Sequence, residues 1–290
     1  MPKSPTVARW ELLLRLNQWK TDQGIDVATA AKALKISTNH WHQIMSDRRA
    51  LTDEHFTALI KLFGLDSDKQ TPNREVLVAL RADTRERGWW MEFSKLFDDE
   101  TRRLFGLEHG AESIQSYEGL IVPGLLQTED YARAIMASDI ARIRPVDAEL
   151  YIDARMKRQQ RLVGEDPLKL AALIHEGALR QITGDESVSR GQLRHLHAMG
   201  TKHGGTIDIR IVPFTARHRP IVSGSPFHIV YFASPVLSPV AWHESVATRG
   251  IIDDAARVRE LRILFERQFE SALSREDSLT LIAQMADRIA

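Results

Sequence analysis

The sequence predicts an α+β protein: an all-α bundle at the N-terminus, a helical middle segment and a mixed α/β domain at the C-terminus. Three observations lead there. Residues 6–64 carry apolar side chains at helical spacing, cut by short polar turns. Residues 73–165 keep a helical texture after a connector that contains Pro72. Beyond Pro167, short alternating or valine- and isoleucine-rich runs appear between helices and read as strands. The boundaries that follow are 1–72 for the bundle, 73–165 for the helical connector and the start of the C-terminal domain, and 166–290 for the mixed domain.

Each element has its own signal. Trp10, Leu13, Leu14, Leu16 and Trp19 make an apolar stripe that predicts a first helix, and Gly24 ends it. Asp26 suits the N-cap of a second helix over the alanine-rich run 27–34. Lys35-Ile36-Ser37 reads as a short turn. Ser37 then caps a third helix over Thr38 to Met45, and Ser46 to Ala50 is a polar loop. Thr52 caps a fourth helix that runs through Leu62 to Gly64. Two helical segments are expected at 73–87 and 89–106. The stretch 112–165 reads as mostly helical, broken at Pro123-Gly124 and Pro145. Strands are expected at 168–174, 207–212, 227–232 and 240–242, with helices around 176–182, 190–201, 254–272 and 275–289.

Composition bounds the function. With 290 residues there is ample material for a core without a metal or crosslink. The chain has no cysteine, which excludes disulfides, thiolate catalysis and cysteine zinc sites and fits a reducing cytoplasm. No apolar run reaches the roughly 18 residues that a membrane span needs. The first twenty residues are too charged for a signal peptide, so a cytoplasmic protein is expected. There are 39 basic and 39 acidic side chains, which argues against a polyanion binder over the whole surface but not against a local patch. Residues 1–50 hold eight basic groups and four acidic ones. That local excess lies where nucleic-acid contact would be expected.

The stretch from Gly24 to Asp47 has the length and pattern of a helix-turn-helix. Ala31 supplies the small residue needed where two helices cross closely, and Leu34 and Ile36 bracket the turn. Trp41 and Ile44 hold the second helix against the first. Thr38, Asn39, His42 and Gln43 are left on its outer face. Such a helix enters the major groove and reads base edges from its N-terminal residues. Asn and Gln suit adenine, Thr suits a base or phosphate, and His can donate to guanine or phosphate. Lys35, Arg48 and Arg49 flank the helix where phosphate contacts set position. A helical bundle with a polar surface helix accounts for the same spacing.

Taken together, these residues carry a resemblance. IDVATAAKALKISTNHWHQI at 25–44 resembles the lambda-repressor-like (Xre-type) helix-turn-helix family. GWW at 88–90 and SYEGLIVPGLLQTEDYARAIM at 116–136 look like the signature of bacterial regulators that join this motif to a C-terminal, antitoxin-like domain of unknown function. The likeness continues through 155–159, HEGALRQITG at 175–184, QLRHL at 192–196, IRIVPF at 209–214, PFHIVYF at 226–232 and LSREDSLTLI at 273–282. It implies a DNA-binding transcriptional regulator with double-stranded DNA as partner, and a small companion protein. A homodimer is expected because one recognition helix covers too few base pairs for selectivity. No cofactor, no membrane partner and no enzymatic activity are expected, because the residues offer no membrane span and no convincing nucleophile or acid/base pair. The chain departs from the family motif at three places. Val27 or Ala28 stands where Gln is usual, Lys35 where the turn has Gly, and Met45, Ser46 and Asp47 where an acidic residue, a basic residue and Gly are common. A protein-binding module with a degenerate helix-turn-helix, acting through a small partner, is the alternative that these departures motivate.

In the C-terminal part, Pro123-Gly124 makes a turn and Thr128 caps a helix whose first turn holds Glu129 and Asp130. This reads either as an architectural corner or as a ligand or partner pocket lined by Gln127 and Tyr131. Arg155, Arg158, Gln159 and Arg161 form a basic helix edge. It reads as a solvated face paired with Glu149 and Asp153, or as a site for an acidic partner or phosphate. Trp89 and Trp90 read as core and interdomain packing.

Catalytic motifs are sparse. His175-Glu176 lacks the second His of a zinc-protease helix. His195, His197 and His203 lack carboxylates at a diagnostic spacing for a metal site. His243-Glu244 with Asp253 and Asp254 suits turns and caps as well as acid/base work. Ser223-Gly224-Ser225-Pro226 lacks the glycine spacing of a nucleophile elbow, and Gly204-Gly205 reads as a turn before a strand.

Overall fold

The computed structural model describes every residue except 1, 68–69, 140–142, 217–224, 246 and 290. Ser223 and Gly224 therefore lie outside the described residues. The fold is α+β, as the sequence predicts. The chain divides into two compact units, one of residues 3–88 with 234–237, the other of 1–2, 89–233 and 238–290.

The N-terminal unit is helical. Its helices are α1 (Pro5–Asp22), α2 (Val27–Ala33), α3 (Thr38–Met45), α4 (Asp53–Leu62) and α5 (Thr71–Asp83). Ser4, Asp26, Ser37 and Thr52 each accept a hydrogen bond from a backbone amide three residues on, so the first four helices start on side-chain caps. Leu12, Leu16, Ala30, Trp41, Ile44, Leu59, Leu65 and Leu77 are buried together at the centre. Leu77 comes from α5, which packs along α1. The segment expected to open a connector is thus part of this core.

The second unit is built on a six-stranded sheet: β1 (Ser113–Glu118), β2 (Lys169–His175), β3 (Ile207–Val212), β4 (Phe227–Tyr231), β5 (Val240–Glu244) and β6 (Arg249–Ile252). The order is β3-β2-β1-β4-β5-β6, with β1, β2 and β3 parallel and the other neighbours antiparallel. The helices are α6 (Asp99–His109), α7 (Glu129–Ser138), α8 (Ala148–Gln159), α9 (Glu176–Arg180), α10 (Glu186–Lys202), α11 (Ala255–Ser271) and α12 (Arg275–Arg288). None of the described helices is long and apolar enough to cross a membrane.

Two strands differ from the sequence expectation. β1 lies inside the stretch read as helical, and it is a central strand of the sheet. Its sequence, SIQSYE, has one β-branched residue and no apolar alternation, because its polar side chains face buried partners instead of water. β6 was not anticipated at all. The segment 89–106, expected as one helix, is a short 3₁₀ turn at Trp89–Phe93 followed by α6, which starts at a new cap on Asp98. Trp90 packs with Leu104, Phe105 and Trp242, and Trp89 stacks on Phe105, so both tryptophans serve the core of this unit.

The sheet has two unlike faces. Tyr117, Leu173, Val212, Phe227, Ile229 and Ala241 form an apolar face, closed by Val258 and Phe265 of α11. The register puts Ser116, His228 and Trp242 side by side on the other face. Side chains alternate along a strand, so Glu118 and Glu244 point to that same side.

Candidate functional site

Two places concentrate polar side chains, one in each unit. In the N-terminal unit, α2 and α3 form a two-helix motif around an unusual turn. Lys35 has φ of 55°, in the left-handed region that favours glycine. Its N–H reaches the Lys32 carbonyl at 3.0 Å, and the Ile36 N–H reaches the Ala31 carbonyl at 3.0 Å, so the end of α2 is closed by backbone bonds. Asp47, just after α3, has φ of 58°. Both non-glycine residues thus hold a backbone conformation that favours glycine. Ala31 is buried, as expected at a close helix crossing.

Trp41 and Ile44 anchor α3 in the core. Thr38, Asn39 and His42 are exposed, Gln43 is partly exposed, and Lys35, Arg48 and Arg49 are exposed around them. The structure thus brings all seven predicted residues to the surface of one motif. The Gln43 carbonyl accepts from the N–H groups of Arg48 and Arg49, at 2.8 and 3.0 Å, which ties the two arginines to the end of α3. His40 faces His55 of α4 edge-on at 5.9 Å.

In the second unit, the residues expected to line a pocket are occupied. Gln127 is fully buried; its amide donates to the Val122 carbonyl at 2.7 Å and its oxygen accepts from Arg155. Tyr131 is buried, and its hydroxyl accepts from the Val122 N–H at 3.4 Å. Gln159 donates to the carbonyls of Gly124 and Gln127, and Gln192 of α10 bonds Leu126 and Thr128. Gly124 lies against the guanidinium groups of Arg158 and Arg155, at 3.6 and 3.9 Å from where a Cβ would stand. A chain reversal inside a protein leaves backbone polar groups to satisfy, and these side chains satisfy them.

The reading of Arg155, Arg158, Gln159 and Arg161 as a solvated edge needs correction. Arg158 forms a two-pronged bond to Glu108 at 2.9 and 2.8 Å and lies over the Phe105 ring at 5.0 Å. Arg161 is buried and donates to the carbonyls of His109, Ala111 and Asp166. Its bond to the His109 carbonyl satisfies a group at the end of α6 that lacks a helical partner. Glu149, the expected surface partner, is taken by Arg133 instead.

Around these arginines is a charged cluster that sequence reasoning missed: Glu108, Glu118, Glu244, Arg155, Arg158 and His228. The His228 Nδ1 lies 3.0 Å from the Ser116 hydroxyl, and its Nε2 lies 3.9 Å from the Glu118 carboxylate. Burial, reinforced by Glu244, pushes the Glu118 carboxyl up to about 8, against the pull of Arg155 and Arg158. Burial and the Arg158 charge bring His228 down to about 4. At neutral pH the cluster therefore holds a mainly protonated Glu118 beside a neutral His228. Ser116 is 1% exposed, so its hydroxyl is a structural partner of the imidazole. The alternation of a strand over 113–118 would have put Ser116 and Glu118 on one face, had that strand been recognised.

The remaining candidates resolve into local structure. The His175 ring accepts from the Gly177 N–H, and Glu176 accepts from Arg180 and from the Phe214 N–H. Asp254 caps α11. No group of three or more His, Asp or Glu among the described residues is placed to hold a metal ion.

Comparison with known proteins bears on the second unit. No curated protein and no solved structure matches the chain. A family model described as a domain of unknown function (DUF5753) matches residues 101–284, from α6 into α12. The match covers more than half of the sequence, and the chain belongs to the DUF5753 family.

Proposed function

We propose that the protein is a sequence-specific DNA-binding transcriptional regulator of antitoxin-like type, acting as a dimer in the cytoplasm. Its C-terminal domain would serve dimerisation or the binding of a ligand or small companion protein. The observation that carries the reading is α3 itself: Thr38, Asn39 and His42 are exposed on a helix anchored by Trp41 and Ile44, with Lys35, Arg48 and Arg49 at its ends. A helix presented this way can lie in the major groove, with base edges read from its N-terminal turns and phosphates met by the flanking cations. A dimer is expected because one recognition helix covers too few base pairs for selectivity, and two-fold symmetry supplies a second half-site.

The test is fluorescence anisotropy of the full chain against DNA from upstream of its own gene, beside a scrambled duplex, at several salt concentrations. The expected result is tight binding to the natural duplex alone, with log affinity falling linearly in log salt. Replacing Asn39 and Gln43 by Ala should weaken specific binding by about 1–3 kcal/mol for each bidentate pairing with a base that the substitution removes. Weak binding that ignores sequence would overturn the reading. Unchanged affinity in the double variant would remove α3 as the reading face.

A further inference from the structure

We infer that the N-terminal unit carries a phosphate-binding cleft beside α3, built from five arginines on three separate segments. The cleft has a volume of about 400 Å³ and is lined by Arg9 of α1, Arg48 and Arg49 of the loop after α3, Arg81 of α5, and Arg85 just beyond it. Asp47 is the one acidic residue among its lining groups. The chain as a whole is neutral, so this is a local concentration of charge and not a share of a general excess.

The internal pairing leaves much of that charge unanswered. Arg9 reaches Asp47 at 3.5 Å. Arg81 and Arg85 converge on the same oxygen of Asp53, at 3.0 and 2.5 Å. Their hydrogen bonds, that of Arg85 first, hold the Asp53 carboxyl below its usual range. Arg48 and Arg49 form no ion pair among the described residues. Five guanidinium groups thus face two carboxylates. Guanidinium groups present planar forks of donors that match the oxygens of a phosphate, and two such forks already meet on one oxyanion here.

The position of the cleft says which phosphate source fits best. Arg48 and Arg49 are tied by their N–H groups to the last turn of α3, and they also line the cleft. Positive charge therefore runs from the end of the proposed reading helix into the cleft. A phosphodiester strand bordering a groove occupied by α3 would meet this run. This source rests on the DNA-binding reading; a free polyphosphate has the same chemistry and does not.

The test uses the full chain, its Arg85→Gln and Arg9→Gln variants, and Arg85→Lys as a charge-retaining control. Three probes are measured: the natural duplex and a scrambled duplex by anisotropy across salt, and inorganic triphosphate by calorimetry. Thermal melts check that the variants fold, which is expected because both side chains are substantially exposed. If the backbone of DNA fills the cleft, each Gln variant lowers the salt slope by about 0.9 and weakens natural and scrambled duplexes by the same factor, while Arg85→Lys keeps the slope. If the chain binds triphosphate but no duplex, and the Gln variants abolish that binding, the cleft stands with a free polyphosphate and the DNA reading falls. If the variants match the parent on every probe, or the parent binds none of the three, the cleft is not a phosphate site.

Discussion

Replacing Lys35 by glycine should make the protein more stable and, on the DNA-binding reading, a weaker DNA binder. Lys35 sits at φ of 55° between α2 and α3, with its side chain in solvent. An L-residue in the left-handed conformation costs about 1–2 kcal/mol relative to the right-handed one. Glycine escapes that cost but gives back about 0.5–1 kcal/mol in chain entropy. Since the exposed side chain contributes little packing, Lys35→Gly should gain about 0.5–1 kcal/mol. Amide hydrogen exchange in the full chain reads this locally. Protection of the α2 and α3 amides should rise roughly two- to fivefold, at about 1.4 kcal/mol per factor of ten. The same change removes one cation from the edge of α3, so the salt slope of duplex binding should fall by about 0.9. Faster exchange in the variant would refute the strain argument. Higher protection with an unchanged slope would keep the strain argument and remove Lys35 from the phosphate contacts.

The second unit offers two further tests. Glu108 and Arg158 have side chains only 5% and 13% exposed, so Glu108→Gln deprives a buried guanidinium of the carboxylate that is hydrogen-bonded to it. Denaturant unfolding should show a loss of about 3–5 kcal/mol. Glu149→Gln, at an exposed pair, should cost about 1 kcal/mol or less. Equal small effects would mean that Arg158 finds another partner. The pH dependence of stability has two limbs. The Glu118 carboxyl is raised to about 8, so its contribution is complete below about 4.5 and is lost as pH rises through 8. His228 is lowered to about 4, so its contribution is complete above about 6.5 and is lost as pH falls through 4. Glu118→Gln should flatten the alkaline limb and His228→Gln the acid limb. An unaltered alkaline limb in Glu118→Gln would assign it to another group.

How much of this was legible depended on whether the deciding interactions were local. The caps on Asp26, Ser37 and Thr52 join residues three apart, and the sequence shows them directly. The exposed face of α3 follows from Trp41 and Ile44 at helical spacing. The arginine cleft does not follow, because Arg9, Arg49 and Arg85 meet only through tertiary packing of α1, the loop and α5. β1 was hidden for a different reason. A strand is recognised by apolar alternation, and this one carries Gln115, Ser116 and Glu118, whose partners Tyr231 and His228 lie more than a hundred residues away.

The most distinctive string in the chain, VPGLLQ at 122–127, shows how an architectural role and a chemical one can be joined. Gln127 commits its amide to the Val122 carbonyl and its oxygen to Arg155. Gly124 lets the two guanidinium groups approach the turn. Arg155 and Arg158 in turn supply the positive charge that opposes the rise of the Glu118 carboxyl. The turn after β1 and the protonation of the cluster are therefore physically coupled. Anything that displaced Arg155 from Gln127 would disturb the corner and the charge balance beside His228 together.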